Sequence, residues 1–372
     1  MNTSLDKFRR YSKRPDYVFL LVVVALVLFG LLMIYSASSL VAFQWFDGDN
    51  NYYFVGRQAL SLMVGVIAMA ITMATDYRVW QKYSLWMLLA TIILLLIVSI
   101  PGIGEESKGA SRWLDIGPIR FQPSEFAKLT LIIYFSSLFA GRSGKVNILP
   151  VIGVLAIISL FLIGLQSDLG TLVIMTGTAV ATFFVAGGSY TQILFGGGVA
   201  LAAFAAFIRS SQYRWERFLI FLNPSAESLD SGYHINQSLL AIGSGGLWGL
   251  GLGKSVQKYF YLPEPYTDSI FAIIAEELGF LRASLVIIAF IILAWRGIRI
   301  ARNAPDNFGT ILAAGIITWI ILQAFVNIGA LSGVLPLTGV PLPFISSGGS
   351  SLIATMAAVG ILLNISKNGY EK

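Results

Sequence analysis

Apolar segments long enough to cross a lipid bilayer recur along this sequence, and no other feature limits its fold as tightly. They lie at about 17–40, 58–75, 84–101, 126–141, 148–165, 169–187, 191–208, 269–295, 308–332 and 345–365, each near or above the roughly 18 residues at which an apolar run reads as a spanning helix. Hydrocarbon offers no partner to a backbone N–H or C=O, so such runs must close their hydrogen bonds internally. The expected fold is therefore all-α, a polytopic integral membrane protein of about ten transmembrane helices. The fourth run is short and carries Glu125 and Lys128. Composition agrees: 12% of residues are charged and 56% hydrophobic, where soluble domains carry roughly 25% charged residues. The first run is long enough to span and lacks a small-residue cleavage site, so no removable signal peptide is expected.

Lys and Arg give the orientation, because short cytoplasmic loops collect them. Lys7, Arg9, Arg10, Lys13 and Arg14 precede the first span; Arg78 with Lys82, Arg142 with Lys145, and Arg296 with Arg299 and Arg302 fall in alternate loops, and Lys367 and Lys372 close the chain. Both termini are expected in the cytoplasm, with 1–16 a basic N-terminal segment, 17–366 one transmembrane domain and 367–372 a short tail. Segments 41–57, 102–124, 166–168, 209–268 and 333–344 then face outward, and 209–268 is the one long loop, of a length that usually carries function. Topology accounts for the net charge of +6, so no nucleic-acid partner is read from it. The absence of cysteine excludes disulfides, thiolate metal sites and cysteine nucleophiles.

Three polar stretches stand out against this apolar background. In YLPEPYTDSIFAIIAEELG (261–279), Asp268 stands where a Pro-rich loop turns into an apolar helix, and Glu276 and Glu277 follow within the apolar run. Asp is a good helix cap, but capping leaves the two glutamates unexplained, and intramembrane charge reads first as function. At most one of the glutamates shares a direction with Asp268, and the other is expected to pair with Lys128 or Arg282. In SRWLDIGPIRFQPSEFAKL (111–129), Arg112, Trp113, Arg120, Glu125 and Lys128 cluster before and within the fourth span. QPSE is also an ordinary helix start, yet Lys128, about one turn inside, must pair or snorkel, and cations beside a wet membrane surface suit a phosphate-bearing substrate. In GVLPLTGVPLPFISSGGSS (333–351), three prolines forbid a continuous helix, while Ser347, Gly348 and Gly349 lead into the last span with backbone N–H groups able to cradle a phosphate or, alternatively, with small residues for tight helix packing.

Other signals fail. GLGLGKS at 249–255 resembles a phosphate-binding loop, but Trp248 stands where its first glycine is required. His234 is the single histidine and has no Cys or His companion, which excludes a His-based metal site but not a carboxylate-held divalent ion.

ASRWLDIGPIRFQPSEFAKL, QSDLGT at 166–171, SGYHINQSLLAIGSGGLWGLGLGKSVQK at 231–258, YLPEPYTDSIFAIIAEELGF and NIGALSGVLPLTGVPLPFISSGGSSL at 327–352, in this order, resemble the SEDS family, the group of RodA, FtsW and SpoVE. IYSASS at 34–39 and YYFVGRQ at 52–58 look more like the division-type FtsW branch than the elongation-type RodA branch. The resemblance implies a ten-helix protein of the bacterial inner membrane that polymerises lipid II into glycan strands, with Asp268 at the family's catalytic aspartate. Trp113 and Glu125 match further positions needed for activity, and Arg120 and Lys128 match basic positions linked to lipid handling. A class B penicillin-binding protein transpeptidase is the implied partner, among other divisome or elongasome membrane proteins. Two departures stand out: Tyr266 replaces a common histidine before Thr267–Asp268, and His234 a common glutamine, which argues against a histidine acting beside Asp268.

The chemistry such a substrate requires is simple. A lipid pyrophosphate leaves readily, so no general acid of the glycosidase kind is needed; cations from Arg120, Lys128, the Ser/Gly helix start or a Mg or Mn ion would hold it as it departs. The acceptor hydroxyl needs a base, and Asp268 is expected to supply it in a single inverting displacement. A flippase for the same lipid is the alternative, since intramembrane charge and Gly-rich helices serve transport too. Location favours the enzyme, because Asp268 and the Arg112 to Glu125 cluster both fall on the outer side.

Overall fold

A computed structural model describes residues 14–46, 50–100, 102, 104–107, 110–116, 119–141, 146–166, 168–209, 215 and 231–369. Lys7, Arg9, Arg10, Lys13, Arg142, Lys145, Ser167, Lys372 and most of 210–230 lie outside the described residues. The helices are α1 (Tyr17–Trp45), α2 (Tyr53–Ala74), α3 (Arg78–Val98), α4 (Pro123–Ala140), α5 (Leu149–Gly164), α6 (Leu169–Val185), α7 (Tyr190–Arg209), α8 (Ser231–Gly245), α9 (Ile270–Arg302), α10 (Asn307–Leu331) and α11 (Gly349–Asn368). All ten apolar runs are helical, and six of these helices are long and apolar enough to cross a membrane by length and composition alone. The chain is a polytopic helical membrane protein.

The all-α expectation holds, with two local features added to it. Helix α8 stands inside the long loop, and β1 (Glu105–Ser107), β2 (Ala110–Ile116) and β3 (Ile119–Phe121) form an antiparallel three-stranded sheet in the order β1-β2-β3. In β2 and β3, Leu114 faces Phe121 and Asp115 faces Arg120.

Aspartates open three helices by accepting a backbone N–H from the first turn: Asp16 from Phe19 at 3.0 Å, Asp168 from Thr171 at 3.1 Å and Asp306 from Gly309 at 2.7 Å. Asp16 also takes a bidentate contact from Arg296 at the far end of α9, at 2.7–3.1 Å, while its own N–H reaches Ser366 of α11 at 3.1 Å. The two ends of the described chain therefore meet on one face of the bundle, here termed the basic end. The heaviest helix pairing joins α2 to α11, where Gly65 faces Met356 and Gly360 seats Thr72. Small residues allow this approach, and the Thr72 hydroxyl donates to the Ala357 carbonyl at 2.9 Å.

Helix α9 is not continuous. Gly279 adopts φ 77° inside it, a left-handed conformation open to glycine, and the break frees backbone groups on both sides. The chain leaving α8 satisfies them: Leu250 and Gly251 donate to the carbonyls of Glu276 and Glu277 at 3.0 and 2.9 Å, and Phe280 donates to Gly246 at 2.8 Å. Irregular backbone at this depth is tolerated where protein covers it.

The same loop corrects the expected pairing of the glutamates with Lys128 or Arg282. Glu277 lies 3.1 Å from Lys258 and accepts from Ser36 of α1 at 2.7 and 2.8 Å, whereas Glu276 accepts from the Val256 N–H at 2.9 Å and the Ser255 hydroxyl. Arg282 instead donates to the Trp248 carbonyl at 3.2 Å. Lys128 is instead taken by Glu125 and Gln323, and the loop returning along the broken helix brings Lys258 to Glu277.

Candidate active site

Asp268 is held by the turn that precedes it. Thr267 and Ser269 both donate their N–H to the Glu264 carbonyl, at 3.2 and 3.3 Å, and the Ser269 hydroxyl donates to Pro263 O at 2.8 Å. Ser269 is the residue that opens α9. Asp268 therefore stands one position before the cap, and helix capping is not the use of its carboxylate. Its Oδ1 accepts from the Thr267 hydroxyl at 3.2 Å, and its Oδ2 approaches Gly339, where a Cβ would stand 3.6 Å away. Gly339 has φ 65°, so a side chain there would be strained as well as close to the carboxylate.

Two amides one turn apart on α10 fix the opposing loop. Asn327 Nδ2 donates to the carbonyls of Asp268 at 2.7 Å and Val340 at 2.8 Å, and Gln323 Nε2 donates to that of Pro341 at 2.9 Å. Gln323 Oε1 in turn accepts from Lys128 Nζ at 2.9 Å, and Lys128 lies 2.7 Å from Glu125. Both charged side chains are all but fully buried, at 1% and 2% exposure, with the Trp319 ring 5.4 Å from the ammonium. Lys128 and Glu125 thus sit beneath the site and brace it, rather than lining its surface. Depth agrees, since Asn327 lies about 30 Å along α10 from Asn307 at 1.5 Å per residue, near the far side of a hydrocarbon core about 30 Å thick.

Arg120 is the exposed cation of the predicted set, with a side chain 48% accessible and Nε 3.6 Å from Asp115. Its carbonyl accepts from the Ser350 hydroxyl at 2.8 Å, and Ser350 Oγ accepts the Gln122 N–H at 2.9 Å, so β3 is docked on the start of α11. Arg112 donates through Nε to the Gln166 carbonyl at 2.6 Å, and Trp113 is half-buried beside it. The expectation of open N–H groups at 347–348 is corrected: Ser347 donates to the Tyr266 carbonyl at 2.9 Å and Gly348 to Gln58 Oε1 at 3.2 Å. These bonds bind the Asp268 loop to α11 and α2, while the Gly349 Cα faces Ser61 of α2.

Tyr266 packs on Phe54 at 4.4 Å between ring centres. Burial, then the Glu264 charge, push its hydroxyl up to about 12 against a smaller lowering by Arg120, so it stays protonated near neutrality. His234 also corrects an expectation, since its Nε2 lies 2.7 Å from Ser269 Oγ. Ser269 Oγ already donates to Pro263, which makes the imidazole the donor. A histidine does therefore support the turn beside Asp268, reached from α8 rather than from the adjacent residue.

Sequence reasoning missed Gln323, Asn327, Thr338 and Gly339. The available signal was two amides spaced four apart in an otherwise apolar helix, a spacing that puts them on one face.

A family model described as Cell cycle protein, spanning FtsW, RodA and SpoVE, matches residues 16–371. The chain is 43% identical over 359 residues to stage V sporulation protein E of Bacillus subtilis, covering 95% of this chain and 97% of that protein. It is also 43% identical over 372 residues to a probable peptidoglycan glycosyltransferase FtsW of Geobacter metallireducens, covering 98% of each. Among solved structures, a peptidoglycan synthase complex described for its coordination of polymerization and crosslinking superposes with a TM-score of 0.80 at 27% identity, over 95% of this chain and 97% of that one. The rod shape determining protein RodA of Thermus thermophilus gives 0.69 at 26% identity, over 96% and 98%.

Proposed function

The chain belongs to the Cell cycle protein family of FtsW, RodA and SpoVE, and on that premise we propose that it is a peptidoglycan glycosyltransferase that polymerises lipid II at the outer face of the bacterial inner membrane. The observation that carries this reading is the placement of Asp268: its carboxylate does not cap α9 and meets the Thr267 hydroxyl and the Gly339 turn, its backbone carbonyl is held by Asn327, and the exposed Arg120 lies on β3.

Asp268 takes the proton from a sugar hydroxyl of the acceptor. The resulting oxygen attacks the anomeric carbon of the donor, the bond from that carbon to the pyrophosphate oxygen breaks, and the lipid pyrophosphate departs with inversion. General-base action of this kind contributes about 10²–10⁴-fold. Arg120 and Arg112 stand where they attract the pyrophosphate, and Lys128 acts through Gln323 on the loop that faces Asp268. Among the described residues no three carboxylate or imidazole groups cluster, so a magnesium or manganese ion would be held mainly by the pyrophosphate and water and would neutralise the departing charge, while Asp268 remains the base.

The intramembrane charges support catalysis over transport. Lys128, Lys258, Glu276 and Glu277 all have close partners within the protein, rather than being staged along a path across the bilayer. Identity of 43% to a protein named a probable FtsW supports a division-type role, with a class B penicillin-binding protein transpeptidase as the crosslinking partner. Polymerisation of labelled lipid II by the purified chain, with and without such a partner, tests the reading. Glycan strands in either condition are the expected result, and no strands in both would contradict it.

A further inference from the structure

Asp16, Asp168 and Asp306 cap their helices through two bonds each. The side chain accepts a first-turn N–H, and the carbonyl accepts the first N–H of the ladder, from Leu20 at 3.1 Å, Leu172 at 3.4 Å and Thr310 at 3.0 Å. Together these bonds define a helix cap. Asp268 follows another course. Its carbonyl accepts from Asn327 Nδ2 at 2.7 Å, the Ala272 N–H goes to the Ser269 carbonyl at 3.0 Å, and Ser269 opens α9 without a side-chain cap bond. The chain thus leaves a helix start uncapped one position from an aspartate, which is among the best capping residues.

What sets Asp268 apart from the other three is Asn327. This amide is 3% exposed within α10, and its Nδ2 meets both the Asp268 carbonyl and, at 2.8 Å, that of Val340. The reversed amide would set its oxygen against two others, so the donors face these carbonyls. One nitrogen therefore withdraws the Asp268 carbonyl from the ladder of α9 and ties it to the loop that carries Gly339. The far side of that loop is anchored as well. Gln323 Nε2 holds the Pro341 carbonyl, while its Oε1 accepts from Lys128 Nζ and from Trp319 Nε1, both at 2.9 Å.

We propose, on the glycosyltransferase reading above, that Asn327 is the positioning residue of the base: by holding the Asp268 carbonyl it keeps this aspartate out of the helix cap. The carboxylate then stays beside the Gly339 turn instead of turning to the N–H groups of α9. Asn327 acts through the backbone and touches no reacting atom. Without it, the Asp268 carbonyl joins the ladder and the carboxylate caps the first turn. A carboxylate that accepts backbone N–H bonds is held in its charged form, so it is a weaker base as well as a misdirected one.

The experiment takes the parent, Asn327→Ala, Asp268→Ala and the double variant through thermal unfolding in detergent and through lipid II coupling. Asp268→Ala should lower the unfolding midpoint by about 1–2 °C more in the Asn327→Ala background than in the parent, the shift one cap gives in a chain of this size. Only in that background does the carboxylate cap. Asn327→Ala should lower kcat at least about tenfold with KM within about twofold of the parent. It should slow the Asp268→Ala protein by less than about twofold further, because it acts through that side chain. Equal midpoint falls in the two backgrounds overturn the proposal, as do rate losses that multiply. Should Asn327→Ala fail to fold, hydrogen exchange at the Ile270 and Phe271 amides decides. The same exchange rate in the parent and in Asp268→Ala supports the proposal, and faster exchange in Asp268→Ala overturns it, since the carboxylate then caps α9 with Asn327 in place. A parent that forms no product from lipid II, with midpoints in the expected pattern, overturns the polymerase reading and upholds the hold of Asn327 on Asp268.

Discussion

Lys258 Nζ lies 3.1 Å from Glu277 Oε1, with both side chains at most 4% exposed, beside the point where α9 is broken at Gly279. The pair ties the loop after α8 to α9, and Ser36 ties both to α1. Removing one member of a buried ion pair leaves the other charge uncompensated, at a cost of about 3–5 kcal/mol. Lys258→Met is therefore expected to lower the thermal unfolding midpoint in detergent strongly, and Lys258→Met combined with Glu277→Gln to recover part of the loss. A single variant as stable as the parent would show that the pair contributes nothing.

Gly279 itself offers a backbone test. A Cβ there would meet the backbone of Trp248 and Gly249 at positive φ, whereas helical Gly56 has open space around it. Gly279→Ala should destabilise the protein by more than about 1 kcal/mol, while Gly56→Ala should be neutral or stabilise by up to about 1 kcal/mol. Similar unfolding midpoints for the two variants would contradict the described break.

Arg120 and Lys128 looked equivalent as substrate-binding cations, and the structure separates them. Exposed Arg120→Gln should weaken lipid II binding in detergent at matched ionic strength with little change in unfolding. Buried Lys128→Met should lower stability by about 3–5 kcal/mol by stranding Glu125. The reverse pattern, with affinity lost at position 128 and stability lost at position 120, would refute this division.

A carboxylate at the basic end should make stability depend on pH. Burial pushes the Asp306 carboxyl up, but hydrogen bonds from the Tyr77 hydroxyl, the Gly309 N–H and Arg78 outweigh burial and hold it below the ordinary 3.8. A carboxyl lowered in the folded state stabilises above its unfolded value and loses that contribution as pH falls through the folded one. The gap in unfolding midpoint between parent and Asp306→Asn should thus be constant near neutrality and shrink below about pH 4. A gap that widens on acidification would reverse the sign.

The spanning helices were legible in the sequence because length and hydropathy decide them before any tertiary contact forms. Asp268 was legible too, as a carboxylate at the boundary of a Pro-rich loop and an apolar run. What escaped depends on contacts between distant segments. Lys258 reaches Glu277 only because the chain turns back along a broken helix, and nothing local to EELGF distinguishes a continuous helix from one interrupted at Gly279. Lys128 looked available to substrate until Gln323, 195 residues away, supplied its second partner. Ser347 and Gly348 looked open for phosphate until Tyr266 and Gln58 were found against them. Each error has one physical source: a polar group in an apolar segment needs a partner, and the sequence shows the need without showing which residue meets it.

The most direct test places lipid II only in the outer leaflet of proteoliposomes whose protein presents the Asp268 end outward, with a transpeptidase partner present, and compares the parent with Asp268→Asn. The account predicts glycan strands from the parent and a rate at least about 10²-fold lower from the variant, the lower end of the range for a general base, at unchanged folding and partner binding. Near-parental polymerisation by Asp268→Asn would contradict the assignment of the base. Absence of strands in every case, with fluorescent lipid II crossing the bilayer whether or not Asp268 is intact, would contradict the enzyme itself and favour transport.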